Sequence, residues 1–221
     1  MMKKPKNTTI YSLIAAALFL AFLYWLDANR LSQGMLISVL QKGAILALVA
    51  VSMNLLNGFT GLFSLGQAGF MSIGAYTTAI LIIPVKSLDG VYYMNGIHPA
   101  IMNLRLLMAK SPPFVQSIYP FIALLLGGII AALAALIVGF AVLRLKSDYL
   151  AIATLGLSEI VRAIFSSPQF DQITNGSYGL NKIPNFPPML FGLIPSLVTP
   201  FIITGISVAF IVLLINSSYG R

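Results

Sequence analysis

The stretch Gly58-Phe-Thr-Gly-Leu-Phe-Ser-Leu-Gly-Gln-Ala-Gly-Phe-Met-Ser-Ile-Gly-Ala-Tyr76 sets five glycines and one glutamine between long apolar runs. In a soluble core helix each of those glycines would cost roughly 0.8–1 kcal/mol relative to alanine. In a bilayer they let helix backbones approach closely, and an unwound turn is tolerated where it is buried in protein or lines a cavity. The stretch therefore reads as part of a pathway through a membrane.

The rest of the chain agrees. Of 221 residues, 58% are hydrophobic and 8% are charged, and the mean hydropathy is +0.94, whereas soluble domains carry about 25% charged residues. The net charge of +8 comes from Lys and Arg scattered along the sequence, without the dense basic stripe that nucleic-acid binding requires. There is no cysteine, so neither disulfides nor thiolate chemistry is available. His98 is the single histidine and has no second histidine or cysteine with which to share a metal. No G-x-S-x-G turn frames a serine and no G-x-x-x-x-G-K-[ST] loop occurs. No enzyme site, no cofactor and no ATP site of its own is expected.

Six apolar segments can be drawn: residues 10–26, 35–56, 62–84, 118–143, 149–165 and roughly 200–215. A span needs about 20 residues, with a range of roughly 17–25. The first and fifth are at the short limit, and the last falls below it unless it begins nearer Met189. The fifth reads as a broken or re-entrant span. The expected fold is an all-α polytopic membrane helical bundle with about six transmembrane segments. The basic start Met1-Met-Lys-Lys-Pro-Lys6 also suits a signal peptide, but the apolar run ends in Tyr24-Trp-Leu-Asp27 with no small-x-small cleavage site. A retained span with an interfacial Tyr24-Trp25 anchor fits better. Lys3, Lys4, Lys6, Arg144, Lys146 and Arg221 crowd the short segments 1–9, 57–66, 144–148 and 216–221, whereas Arg30, Lys86, Arg105, Lys110 and Lys182 are spread over the segments 27–34, 85–117 and 166–198. The positive-inside rule then places the N-terminus in the cytoplasm and the loops 85–117 and 166–198 outside.

Two small-residue patterns predict helix contacts. Gly127, Ala131, Ala135 and Gly139 recur at i+4 and make a smooth ridge on the fourth segment. Ser64, Ala68 and Ser72 share that spacing, and Gly66, Gln67 and Gly69 add exposed backbone and a polar amide at the same place. Ionisable residues within spans cost about 2.5–3.5 kcal/mol at a helix centre, and the candidates are Lys42, Glu159 and Arg162. Lys42 sits where its stem can carry the charge out to the interface. Glu159 and Arg162, three apart, share a helix face and can neutralise each other. They form either a structural ion pair or a polar cavity wall together with Thr154 and Ser158.

Three blocks in order resemble the membrane permease subunits of branched-chain amino acid ABC importers. They are Gly61-Leu-Phe-Ser-Leu-Gly-Gln-Ala-Gly-Phe-Met-Ser-Ile-Gly-Ala-Tyr76, Leu143-Arg-Leu-Lys-Ser-Asp-Tyr-Leu-Ala-Ile-Ala-Thr-Leu-Gly-Leu-Ser-Glu-Ile-Val-Arg162, and Thr174-Asn-Gly-Ser-Tyr-Gly-Leu-Asn-Lys-Ile-Pro184. The resemblance covers roughly residues 40–221, and Ser147 departs from the glycine frequent before its Tyr-Leu-Ala block. It implies one transmembrane permease domain over residues 1–221, in a bacterial or archaeal plasma membrane. It also implies a second permease subunit, two cytoplasmic ATPase subunits and an external substrate-binding protein as partners, besides the lipid bilayer. Family members continue past Ser217–Arg221 into an ATPase-docking segment and further spans, so the chain is expected to be the N-terminal part of a longer domain. Relatives carrying urea or short amides resemble it equally. A buried zwitterion wants a helix N-terminus for its carboxylate and a carboxylate or carbonyl for its ammonium, which broken backbone near Gly66–Gly69 and Glu159 can supply. On composition alone, a small autonomous channel or a helical membrane scaffold fits as well.

Overall fold

The computed structural model describes residues 6–110, 112–142, 144–145, 147–184 and 197–217. No strand occurs among them. The helices are α1 (Lys6–Ala28), α2 (Arg30–Met53), α3 (Gln67–Ile82), α4 (Val85–Val91), α5 (Pro99–Ala109), α6 (Pro113–Val142), α7 (Ser147–Phe165), α8 (Asp171–Thr174) and α9 (Thr199–Asn216). A π-helical turn, Asn54–Phe59, follows α2, and 3₁₀ turns at Pro168–Phe170 and Gly176–Tyr178 flank α8.

Three helical stretches among the described residues are long and apolar enough to cross a membrane: Gly34–Phe59, Ile118–Val142 and Thr199–Asn216. A fourth is the broken pair Tyr149–Phe165 and Pro168–Thr174, bent by 58°. That bend falls just past the segment drawn as 149–165, which is itself one continuous helix, where Ser166-Ser-Pro168 interrupts the chain. Leu18–Ala28 and Gln67–Ile82 are shorter apolar helices, as is Pro99–Ala109 within the first long loop. The third segment is short because residues 60–66 are spent on non-helical chain before α3 begins. A start of the last span near Met189 lies outside the described residues.

The chain divides into two compact units, Met1–Ser52 with Phe186–Arg221, and Met53–Asn185. In the first, Phe19 of α1 meets Phe201 of α9 edge to face at 5.6 Å between centroids. Leu23, Leu26, Leu197 and Val198 are buried.

The second unit is organised around α3, which packs chiefly on α6 and then on α7. Small residues permit the approach to α6. A Cβ on Gly74 would lie 3.4 Å from the Gly127 carbonyl oxygen and 3.6 Å from Ala131 Cβ, and one on Gly127 would lie 2.7 Å from the Gly74 oxygen. Thr78 spans the contact, its Oγ1 donating to Gly74 O at 2.8 Å or to Ala123 O at 3.4 Å. The neighbouring Gly128 is exposed and meets nothing within 4 Å. α3 ends where Pro84 forces Ile83 into extended backbone (φ −53°, ψ 126°).

Residues 85–110 of the first long loop and 168–184 of the second fold together. Ile83, Leu88, Val91 and Tyr92 form a small core. The Tyr92 hydroxyl donates to Ile173 O at 2.7 Å, His98 N donates to Gln172 O at 3.1 Å, and Asn95 Nδ2 donates to Asp171 Oδ2 at 2.7 Å. Asn175 (φ 61°) and Gly176 (φ 48°) turn the chain left-handed beside Asp171, whose carboxylate occupies the space a Cβ on Gly176 would need. Burial pushes the Tyr92 phenol from its ordinary 10.0 up to about 12. Its contribution to this cap is complete below pH 10 and is lost as pH rises through about 12.

Residues 85–110 of the first loop and 168–184 of the second therefore lie at one end of the second unit, and the turn at Arg144–Leu145 lies at the other. In sealed vesicles, single cysteines at Asp89 and Ser177 should react with an impermeant thiol reagent from the same side, and one at Arg144 only after permeabilisation. Labelling of Asp89→Cys and Ser177→Cys from opposite sides would contradict the fold. A second expectation separates adjacent glycines: Gly127→Ala should cost about 1–3 kcal/mol by overpacking, whereas Gly128→Ala should be neutral or gain about 0.8–1 kcal/mol. Thermal unfolding in detergent measures both.

Candidate functional site

Residues 60–66 leave the helix between the π turn and α3, with Gly61 at φ 67°. In apolar surroundings their backbone groups must find partners inside the protein. Ser64 N donates to Asn57 Oδ1 at 3.1 Å, and Gly66 N donates to Ser64 Oγ at 3.4 Å. Leu62 N donates to Thr60 Oγ1 at 3.4 Å, and Gly66 O accepts from Gly69 N at 3.1 Å and Phe70 N at 3.3 Å; Leu65 is held from α7. Leu65 N donates to Thr154 Oγ1 at 2.9 Å, and Ser158 Oγ lies 3.4 Å from Leu65 O and 3.2 Å from Thr154 O, either of which can accept its proton. Thr154 Oγ1 in turn donates to Ala151 O at 3.1 Å.

The glycines make this crossing possible. A Cβ on Gly66 would lie 3.3 Å from Thr154 Cβ and from the Phe70 ring, and one on Gly69 would lie 3.1 Å from Ser158 Cα. The structure thus brings Gly66, Gly69, Thr154 and Ser158 together, with Gln67 opening α3 beside them. A cavity of about 410 Å³ adjoins the crossing, with Ser64, Gln67 and Thr154 on its wall and the α6 residues Ala131, Ala135 and Gly139 opposite. Among the described residues no charged one lines it.

The predicted ridges are redistributed. On α6, Gly127 and Ala131 meet Gly74, while Ala135 and Gly139 border the cavity. On the partner helix, Ser64 precedes the first helical residue and Ala68 is exposed, so the Ser64–Ala68–Ser72 spacing does not form a helix face. Gly66, Gly69 and Gly74 carry the contacts.

Glu159 and Arg162 form an ion pair at 3.4 Å, with side chains 64% and 78% exposed, and neither lines the cavity. They share the exposed face of α7 with Ile152 and Leu155, whereas Leu150, Thr154 and Val161 turn inward. Lys42 is exposed. Among the described residues no cluster could hold a metal ion, and His98 serves as the N-cap of α5, its Nδ1 accepting from Ala100 N at 3.3 Å.

Two functional-looking groups escaped sequence reasoning. Asn57, near the end of an apolar run, accepts from the broken chain; the carboxamides of Asn54 and Asn57 there were the available signal. Arg105 is only 7% exposed and reaches the C-terminal carbonyls of α3, although its sequence position suggests a loop charge.

Residues 35–221 match the family described as "Branched-chain amino acid transport system / permease component". Two relatives are the high-affinity branched-chain amino acid transport system permease proteins LivM of Salmonella typhimurium strain LT2 and Escherichia coli strain K12. Each is 36% identical to the chain over 149 residues, which is 67% of this chain and 27% of the relative. The chain thus spans about a quarter of the length of the curated relatives it matches. No solved structure matches. The chain belongs to the family of branched-chain amino acid transport system permease components.

Proposed function

We propose that the chain builds part of the translocation pathway of an ABC importer for branched-chain amino acids. It sits in a bacterial or archaeal plasma membrane with its N-terminus in the cytoplasm, beside a second permease subunit. Two cytoplasmic ATPase subunits drive it and an external binding protein delivers substrate to the side of the two long loops. The observation that carries this reading is the broken backbone at residues 60–66, joined to α7 by side-chain hydrogen bonds and adjoining a cavity that no charged residue among those described lines. The family match supports the substrate.

The pathway residues in this reading are Gly66, Gln67, Gly69, Thr154 and Ser158. An aliphatic side chain suits a wall of small and apolar groups, and Gln67 offers a carboxamide with no hydrogen bond of its own among the described residues. Glu159 and Arg162 face away from this wall in the chain as described, and in this proposal they meet the second permease subunit. Gly127 and Ala131 hold α6 against α3, so that Ala135 and Gly139 can leave the cavity open.

The test is uptake of labelled leucine by cells whose own branched-chain uptake is deleted, with the chain expressed in its own transport system. ATP-dependent uptake should be competed by isoleucine and valine and not by urea or acetamide. Gly69→Val should lower the rate about tenfold or more, since mispositioning within a pathway costs on that scale, while Gly128→Ala leaves it unchanged. Competition by urea instead of valine, or uptake that persists without ATP, would overturn the reading.

A further inference from the structure

Arg105 belongs to the cap of loops, yet its side-chain hydrogen bonds end on Leu81 and Ile82 of α3 and on the C-cap Ile83. Nε donates to Ile83 O at 3.0 Å, Nη2 to Ile83 O at 2.6 Å and to Ile82 O at 3.2 Å, and Nη1 to Leu81 O. These carbonyls close α3 just before Pro84, where no residue continues the helix and the helix dipole leaves negative charge. The guanidinium carbon also lies 5.4 Å from the centre of the Tyr119 ring on α6. The Tyr119 hydroxyl is buried without a partner among the described residues, so there the tyrosine contributes its ring and not a hydrogen bond.

The other half of the cap is fastened to α7. Thr174 Oγ1 lies 2.8 Å from Phe165 O, the last residue of α7, and 3.1 Å from Phe170 O. Tyr76 of α3 and Phe165 are in ring contact at 4.4 Å. The cap therefore holds the C-terminal ends of the two parallel helices whose N-terminal halves meet at Gly66–Gly69 and Thr154–Ser158. A helix is stiff along its length, so the grip at one end bears on the register at the other.

We infer that Arg105 is a positioning residue for transport: it fixes the axial register of α3 against α7, and through α3 it links the cap to the crossing beside the cavity. The inference rests on the proposed pathway for its consequence in transport, but not for its geometry. Lysine would keep the charge and lose the planar fork that reaches three carbonyls. Glutamine would lose both.

The register can be read without transport. A Cβ on Gly69 would lie 3.6 Å from Ser158 Cβ, within the range that a disulfide bridges, and the chain has no other cysteine. The pair Gly69→Cys with Ser158→Cys should cross-link under mild oxidation in the membrane-embedded chain with its partner subunits. Adding Arg105→Gln should slow cross-linking about fivefold, the scale on which such couplings act, and Arg105→Lys should fall between. Tyr119→Phe should leave it unchanged. In the protein with Gly69 and Ser158 intact, Arg105→Gln should lower the maximal leucine uptake rate while the half-saturating concentration stays the same. Cross-linking at the parent rate in Arg105→Gln would overturn the inference. So would loss of both Arg105 variants from the membrane, which would assign the residue to folding alone. If the parent takes up no leucine, the proposed function fails, and the cross-linking rate still decides the role of Arg105.

Discussion

An amide and a carbonyl that leave a helix inside an apolar environment must be paired within the protein, and this requirement shapes the second unit. Between the π turn and α3 the chain is non-helical, and Leu65 takes both of its partners from α7. Leaving such a buried group unpaired costs about 1–3 kcal/mol. The hydroxyls of Thr154 and Ser158, four residues apart and so on one helix face, pair it without placing a charge in the wall. The close approach of α7 follows from that pairing, and the absence of side chains at Gly66 and Gly69 follows from the approach.

Packing then extends the arrangement along α3. Its middle lies on α6 through Gly74, Gly127 and Ala131, where the surfaces are small enough for backbone oxygens to come near Cβ positions. Its end is closed by Arg105 from the cap. Three kinds of contact therefore hold one helix: hydroxyls at the start, small residues in the middle and a guanidinium at the end.

Much of this was legible in the residues. The low charge and long apolar runs require helices in a bilayer, since a closed barrel would need alternating residues instead. The cluster at Gly58–Tyr76 marked the break before α3, whereas the bend lies after residues 149–165 and not within them. What spacing could not reveal is where a helix begins. Ser64, Ala68 and Ser72 form a face only if residue 64 is helical, and the hydrogen bonds of Ser64 to Asn57 and Gly66 put it outside α3. Nor does i+3 spacing fix which way a face points, so Glu159 and Arg162 pair as expected while standing apart from Thr154 and Ser158. Arg105 was hidden for a different reason: its partners are backbone carbonyls some twenty residues earlier, and carbonyls have no sequence signature.

The pairing of Leu65 with Thr154 is the claim on which the site depends, and amide hydrogen exchange at Leu65 addresses it most directly. The amide should be protected in the parent and in Thr154→Ser, which keeps the hydroxyl. It should exchange at least about fivefold faster in Thr154→Val, the loss of roughly 1 kcal/mol of net hydrogen bonding, while the middle of α3 exchanges as before. Equal protection of Leu65 in Thr154→Val and the parent would contradict the account, because the broken backbone would then be held by something other than α7.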